Sequence, residues 1–580
     1  MFPYLETGGV VRYLVLACDF DETLARGGRV APETVKALER LIASGRKLIL
    51  VSGRELDDLL RIFPEAKICA RIVAENGAFI YNPATRERKP QGDPPPDQFI
   101  RALQQKKVEP LAVGNVIVAT VQPHETTVLN TIRDMGLELQ VIFNKGAVMV
   151  LPAGLNKASG LTHALQEICI SPHNVVALGD AENDHALLKL AECAVAVANA
   201  LPTLKERADF VTEGEDGRGV IELIDELVNE DLKARSDRLG RHSILLGHRE
   251  SGEEARLRPF GVSMLITGPS GAGKSTVTTA FLEQLNEQGY QFCVVDPEGD
   301  YESFEGAVAV GTQKQPPNID AVVRLLRNPQ ENVVVNLIGV RLKDRPAFFL
   351  ALLPRLQELR AQLGHPHWIV VDETHHVLPS SWEAAPQALP TEFDRFVFIT
   401  IHPHSVAAPA LASLNTVIAV GEKSDETLMN VGKLLDETPP PLSPVKLDHG
   451  EVLMWMRHKN EPPFKLRIMP GQTERRRHLR KYAEGDLGRD RSFYFTGPQR
   501  KLKLQAQNLN MFMQLADGVD DETWQHHLRK GDYSRWFRNA IKDEDLAAVA
   551  EQLERDNGVS PDESRKIIRE AIEQKYTLAG

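Results

Sequence analysis

RYLVLACDFDET, residues 12–23, decides how the N-terminal third of the chain is read. Residues 12–18 form a short apolar run of the kind that fills a buried parallel strand, and the run ends in Asp19-Phe20-Asp21-Glu22-Thr23. In an open α/β sheet, ligands bind at the carboxyl ends of the strands. Two carboxylates at i and i+2 on that edge, Asp19 and Asp21, suit a nucleophile and a general acid/base. Alone, the pattern also fits a surface turn, so its meaning depends on the segments C-terminal to it.

A helical stretch, PETVKALERLIASG, leads to a second apolar strand, KLILV, which ends in Ser52-Gly53-Arg54 and sets a hydroxyl donor at the same sheet edge. Ser52 is placed to hold a phosphoryl oxygen. Lys157 follows the strand-like AVMVL and opens a helix, where a fixed cation offsets crowded carboxylates and phosphate; a plain surface lysine is the alternative. The strand VVAL then delivers Gly179-Asp180-Ala181-Glu182-Asn183-Asp184, a turn whose carboxylates suit an oxygen-liganded Mg2+ ion. Between Tyr81 and Leu151 the pattern changes to a Pro-rich loop, QGDPPPD, a helical stretch, and strands such as NVIVATV and ELQVIF.

With these four motifs in order, residues 11–232 resemble haloacid dehalogenase phosphatases of the Cof type, which carry a cap between the second and third motifs. Glu75-Asn76-Gly77-Ala78 resembles the cap entrance, and the insertion is expected at about 81–151. The resemblance implies an α/β, Rossmann-like core with an α+β cap. It implies that Asp19 forms an aspartyl phosphate and that Asp21 protonates the leaving group and then activates water. By the same resemblance Ser52 and Lys157 steady the phosphoryl group, and Asn183 lies near the substrate. Mg2+ is then bound by Asp19, Asp180 and the main-chain carbonyl of Asp21, with Asp184 supporting the metal shell. Caps of this type choose the substrate. The inserted segment has no base-stacking aromatic cluster, which favours small phosphate esters over nucleic acid ends.

The helix-like GVIELIDELVNEDLKARSDRL closes this region, and HSILLGHRESGEEARLRP reads as a hairpin entering a new domain, with the boundary near residue 235. The strand SMLIT runs into Gly268-Pro269-Ser270-Gly271-Ala272-Gly273-Lys274-Ser275-Thr276, a full GxxxxGK[ST] loop between a strand and a helix. Its amides suit the β-phosphate of ATP, Lys274 the β- and γ-phosphates, and Ser275 a Mg2+ ion. HWIVVDE ends in Asp372, placed to hold that ion through water, and Glu373, placed to polarise the attacking water. His375 and His376 read as polar residues at a helix start. His402, at the end of FVFITIHP, sits where a γ-phosphate sensor belongs, although an ordinary loop histidine fits equally.

CVVDPEGDY at 293–301 and WIVVDE at 368–373 resemble HerA and FtsK type ATPases, over a RecA-like domain at 243–472. The resemblance implies hexameric rings in which a neighbour's arginine completes the nucleotide site, with Arg341, Arg345 and Arg395 available. His402 departs from the family's usual glutamine, which puts DNA translocation in doubt.

Residues 473–580 form a third, mainly helical region. Arg475, Arg476, Arg477, Arg480 and Lys481 make a basic cluster that suits nucleic acid, a neighbouring subunit's nucleotide, or a solvated helix face. Leu546, Val549, Ala550 and Leu553 repeat at helical spacing, and Ser560-Pro561-Asp562-Glu563 combines a capping box with proline at the first helical position. Trp524, Tyr533, Trp536 and Phe537 read as a small core.

The bulk properties agree with a multidomain enzyme. The chain has 580 residues, 42% of them hydrophobic and 26% charged, beyond what one core supports. Five cysteines without metal spacing fit a reducing cytoplasm. No run reaches the roughly 18 apolar residues needed for a membrane span. A net charge of -12 argues against broad attraction to nucleic acid, while leaving a local basic channel open. The leading expectation is a Mg2+-dependent phosphomonoesterase fused to a ring-forming, homo-oligomeric ATPase. The alternatives are a polynucleotide kinase-phosphatase-like or DNA-translocating enzyme, and a nucleotide-dependent assembly scaffold carrying a phosphatase.

Overall fold

A computed structural model describes residues 11–235, 239–381, 389, 393–437, 439, 445–457, 459, 461–469, 471, 492–499, 502–541, 543–556 and 558–576. The N-terminal region is built on an eight-stranded sheet. Its strands run in the order Phe210–Val211, Cys193–Ala196, Val175–Gly179, Val15–Asp19, Lys47–Val51, Arg71–Ala74, Phe79–Asn82, Glu87–Pro90. The first six are mutually parallel, and the last two add a hairpin. Val15–Asp19 and Val175–Gly179 are buried throughout, as strands covered on both faces must be. The Pro32–Ala43 helix begins on its proline and buries Thr34, Ala37, Leu38 and Leu41, one stripe at helical spacing. It packs against the Asp216–Glu230 helix.

The chain leaves this sheet after Pro90, past the expected residue 81, because the polar strand Glu87–Pro90 still pairs with Phe79–Asn82. A separate four-stranded antiparallel sheet comes next, ordered Ala112–Val113, Val118–Val121, Ala147–Pro152, Leu139–Asn144, with helices Asp97–Gln105 and Glu125–Met135. It has its own core of Phe99, Leu103, Val118, Val128, Val148 and Val150. Glu75 ties this insertion to the main body. Its buried carboxylate accepts the N–H groups of Asn115 at 3.0 Å, Val116 at 2.7 Å and Ile117 at 3.0 Å.

The central region forms an eleven-stranded sheet. Seven parallel strands lie in the order Thr416–Val420, Met264–Thr267, Phe396–Thr400, Trp368–Val371, Phe292–Asp296, Asn332–Asn336, Ala307–Val310. Glu451–Met456, Phe464–Ile468 and the hairpin Ile244–Arg249/Glu254–Leu257 extend it antiparallel. The fold is therefore a Rossmann-like α/β core with an α+β insertion, then a P-loop α/β domain.

These two regions share one compact unit that includes Gln284–Ile468. At their seam, buried Glu192 accepts from Arg12 Nη2 at 2.6 Å and from the Tyr290 hydroxyl at 2.9 Å, and lies 2.7 Å from His173 Nδ1. His173 Nε2 lies 2.8 Å from the Gln288 carbonyl, and His365 Nε2 lies 3.0 Å from the Cys169 carbonyl. Burial alone would raise the Glu192 carboxyl, but His173 and Arg12 outweigh it and hold the group down at about 2. The stabilisation from this shift is present above the ordinary carboxylate value and is lost as pH falls toward 2, about 3 kcal/mol in all. Glu192→Gln leaves Arg12 and His173 without their counter-charge and is expected to cost about 3–5 kcal/mol at neutral pH. Urea unfolding midpoints across pH should show the gap between wild type and variant shrinking below pH ~4.5. A gap that stays constant with pH would refute this account.

The second unit, Met469–Gly580 with Thr279–Glu283, contains a hairpin, Phe493–Phe495/Leu504–Ala506, and helices including Leu509–Gly518, Asp521–Arg529, Glu544–Arg555 and Pro561–Tyr576. Trp524, Tyr533, Trp536 and Phe537 are buried in its core, as expected. Ser560 Oγ accepts the Glu563 N–H at 3.2 Å, capping the last helix. The basic cluster Arg475, Arg476, Arg477, Arg480 and Lys481 lies outside the described residues. No helix among the described residues is long and apolar enough to cross a membrane.

Candidate functional site

Register explains why residues far apart in sequence meet. Asp19 pairs with Val51 and Cys18 with Leu178, so Asp19, Ser52 and Asp180 all emerge at one sheet edge. Lys157 is supplied by the Lys157–Glu167 helix, whose start is fixed by Asn156: its Oδ1 accepts the N–H groups of Ala158 at 2.9 Å and Ser159 at 3.1 Å. Lys157 is 1% exposed, and its Nζ donates to Asp19 Oδ1 at 2.5 Å and Asp184 Oδ1 at 2.6 Å. Burial, followed by the charge of Asp184, raises the Asp19 carboxyl above the usual carboxylate range. Burial would lower Lys157, but Asp184 and Asp19 outweigh it and raise the ammonium. Both therefore depend on the pairing, as buried charges do.

Asp184 Oδ2 accepts the backbone N–H groups of Asp180 and Ala181, each at 3.0 Å. With its other oxygen on Lys157, Asp184 positions the loop rather than presenting a free oxygen. Gly179 makes this possible, since a Cβ there would sit 2.6 Å from Asp184 Cγ. The carboxylates of Asp19, Asp180 and Asp184 lie within 4.8 Å of one another, all buried; Asp19 and Asp180 are the hard oxygen donors that fit Mg2+, with Asp184 holding the loop behind them. Thr23 Oγ1 donates to Asp180 Oδ1 at 3.2 Å. Asn183 Nδ2 donates to Asn76 Oδ1 at 3.0 Å, and Ser52 is fully buried, with its Oγ accepting the Arg54 N–H at 3.1 Å.

Two residues here carry no role that the sequence alone assigns. Arg54 grips Asp21 with Nε at 2.8 Å from Oδ2 and Nη2 at 2.7 Å from Oδ1, fixing the second carboxylate of the motif. Lys145, at the tip of the inserted hairpin between Leu139–Asn144 and Ala147–Pro152, reaches back so that its Nζ donates to Asp180 Oδ2 at 2.5 Å. Its spacing from Asp180 in the chain gives no signal.

At the central sheet, Thr267 pairs with Thr400 and Val371 with Phe398, so the Gly268–Thr276 loop, Asp372, Glu373 and His402 share one edge. Gly268 has φ 152°, and a Cβ there would lie 2.3 Å from the Val420 carbonyl oxygen. Lys274 opens the Lys274–Glu287 helix, and its Nζ donates to the carbonyls of Gly268 at 3.2 Å and Pro269 at 3.0 Å. Gly271, Gly273, Ser275 and Thr276 complete the loop at this helix N-terminus, a place suited to phosphate. Burial pushes the Asp372 carboxyl up to about 7, against the N–H of Glu373 donating to it at 2.8 Å. Glu373 takes a left-handed backbone at φ 36° and brings Oε2 to 3.3 Å from His375 Nδ1. His402 is exposed, its ring centroid 5.3 Å from that of His375.

Asp296 organises the neighbouring DPEGDY turn by accepting the N–H groups of Gly299 at 2.7 Å and Tyr301 at 2.9 Å. Of the three arginines, Arg341 is exposed and paired with Asp344, and Arg345 donates to the Val340 carbonyl. Arg395 is 1% exposed and stacks over Phe260, so it is not presented to another subunit.

Similarity to known proteins divides the chain in the same way as the two sites do. Residues 16–115 and 105–224 match the haloacid dehalogenase-like hydrolase family, and residues 262–397 match the AAA domain. Phosphoglycolate phosphatase 2 of Saccharolobus solfataricus is 30% identical over 237 residues, covering 39% of this chain and 96% of its own length. Phosphoglycolate phosphatase of Methanothermobacter thermautotrophicus is 30% identical over 218 residues, covering 36% and 96%. A solved haloacid dehalogenase-like hydrolase from Bacteroides thetaiotaomicron aligns at 21% identity and TM-score 0.33, over 37% of this chain and 99% of its own.

Proposed function

The chain belongs, through its N-terminal region, to the haloacid dehalogenase-like hydrolases, with an AAA domain behind it, and from that premise we propose a Mg2+-dependent phosphomonoesterase coupled to an ATPase. The observation that supports it best is the buried Lys157 bridging Asp19 and Asp184 beside Asp180 at the sheet edge. An Asp19 oxygen attacks phosphorus, the ester P–O bond breaks, and Asp21, held by Arg54, gives its proton to the leaving oxygen. Water then attacks the aspartyl phosphate while Asp21 takes its proton, releasing phosphate and restoring Asp19. Ser52, Lys157 and Asn183 hold the phosphoryl group. Asp19, Asp180 and the Asp21 carbonyl, with Asp184 supporting, would hold Mg2+, which when bound would neutralise charge on the phosphoryl oxygens.

In the AAA domain, Lys274, Ser275 and the loop amides hold ATP and its ion, and Glu373 polarises the attacking water. The HerA- and FtsK-like segments support a ring of identical subunits, and the composition supports a cytoplasmic setting. The exposed Arg341 is the best placed of the three arginines to serve a neighbour.

The phosphoglycolate phosphatases carry a substrate with a carboxylate beside its phosphate in their names, and this favours a small, doubly anionic ester here. Lys145 supports that choice, because it brings a cation from the insertion to the site. Lys145→Ala is expected to raise KM for carboxylated phosphate esters about tenfold, the scale of one charge-assisted hydrogen bond, with kcat little changed. An artificial aryl phosphate should be hardly affected. The test is Mg2+-dependent phosphate release from a panel of small esters and of oligonucleotides phosphorylated at either end. Preference for oligonucleotide ends would overturn the small-ester reading, and an equal loss on carboxylated and aryl esters would remove Lys145 from substrate choice.

A further inference from the structure

A cavity of about 780 Å³ opens at the seam between the two α/β regions, a size and position common for small-molecule sites. Three helices contribute to its wall, and each begins at a group already placed in a candidate catalytic site. The Lys157–Glu167 helix starts on Lys157 and lines the cavity with Ser159 and Thr162. The His185–Leu190 helix comes directly after Asp184 and lines it with Lys189. The Lys274–Glu287 helix starts on the P-loop lysine and lines it with Asn286.

The charge of the wall is one-sided. Asp and Glu number 80 of 580 residues, yet among the described residues no carboxylate lines this cavity. Lys189 stands exposed at the wall. His173 also borders the cavity, its ring nitrogens engaged at 2.7 Å with Glu192 Oε2 and at 2.8 Å with the Gln288 carbonyl. Behind it Arg12 and Glu192 cancel. The rest of the wall mixes amide and hydroxyl groups with aliphatic side chains and the rings of His242 and Tyr290, room for a small organic body attached to an anionic head.

A cation is excluded from the same place. His173, Glu192 and His242 bring ligand atoms within 4.8 Å of one another, but Arg12 sits on Glu192, and the direct His173–Glu192 contact leaves no room between them.

We propose that this cavity is a regulatory site for a phosphorylated metabolite of sugar-phosphate or nucleoside-monophosphate size, acting on both candidate catalytic sites through the helices that wall it. Its binding is independent of the phosphatase reading, and only its effect on phosphate release rests on that reading. The test is calorimetric titration of the full chain carrying Lys274→Ala, in EDTA, with inorganic phosphate, glucose 6-phosphate and adenosine monophosphate. One organic phosphate should bind at one per chain and more tightly than inorganic phosphate. Lys189→Glu, at an exposed position, should weaken it about tenfold or more, and Thr162→Trp, which fills the cavity, should abolish it. Ser52→Ala should leave it unchanged. No saturable binding below about 10 mM, or binding lost with Ser52→Ala and insensitive to Lys189→Glu, overturns the site. In the wild-type chain the bound ligand should shift both phosphate release and ATP hydrolysis. Binding that shifts neither rate overturns the regulatory role while leaving the phosphatase assay itself intact.

Discussion

Asp19→Asn is expected to lower Mg2+-dependent phosphate release by on the order of 10⁴-fold or more, the scale seen when a covalent nucleophile is removed. The change is isosteric at a side chain that is 4% exposed, so the fold has no cavity or new bulk to absorb. What it removes is one of two carboxylates crowded around Lys157. Lys157 keeps Asp184, so its buried charge stays compensated, and the loss of a carboxylate that burial and Asp184 already disfavour should leave the melting temperature level or raise it. Inactivity with an unchanged or higher melting temperature is therefore the expected pair of results. Residual phosphate release within tenfold of wild type would mean that Asp19 is not the nucleophile and that the site works without an aspartyl phosphate. ATP hydrolysis serves as the internal control, because its candidate groups lie at the edge of a different sheet from Asp19.

The parts of both sites that are legible in the sequence share one physical origin. Central parallel strands are buried on both faces, so they appear as unbroken apolar runs, and the residues just after such a run lie at the ligand-binding edge. That logic finds Asp19, Ser52, Asp180, Gly268 and Asp372, which the registers bring to their two edges. It cannot find Arg54 gripping Asp21, because a guanidinium after a strand looks like any surface arginine until its partner is known. Lys145 is hidden for a stronger reason: the hairpin that carries it must fold back over the core before Asp180 comes within reach. The last strand of the first sheet is missed because Glu87–Pro90 is exposed on both faces and so shows no alternation. Arg395 illustrates the opposite error. Charge suggests a surface residue, yet it is buried against Phe260, where the long stem and flat head pack as apolar surface.

The seam between the two regions leaves no trace in the sequence. Lys274→Ala is expected to reduce ATP hydrolysis by on the order of 10²-fold or more, because in the proposed function the P-loop ammonium meets the phosphate charge developing at the β- and γ-positions. Burial already lowers the Lys274 ammonium, with Glu373 and Asp372 opposing, so removing it should not unfold the loop but should leave those two carboxylates facing each other without a cation. Phosphate release from an aryl phosphate should stay within about twofold of wild type if the two sites work as separate modules. The helix that begins on Lys274 leads into Gln288, whose carbonyl meets His173, and the Lys157 helix leads to Cys169, whose carbonyl meets His365. A physical route therefore joins the P-loop to Lys157, with hydrogen-bonded groups at the join. Loss of both activities in a folded Lys274→Ala protein would mean that this route carries obligatory coupling. Retention of phosphate release, with loss only of its response to ATP, would mean that the ATPase tunes a phosphatase that is complete on its own.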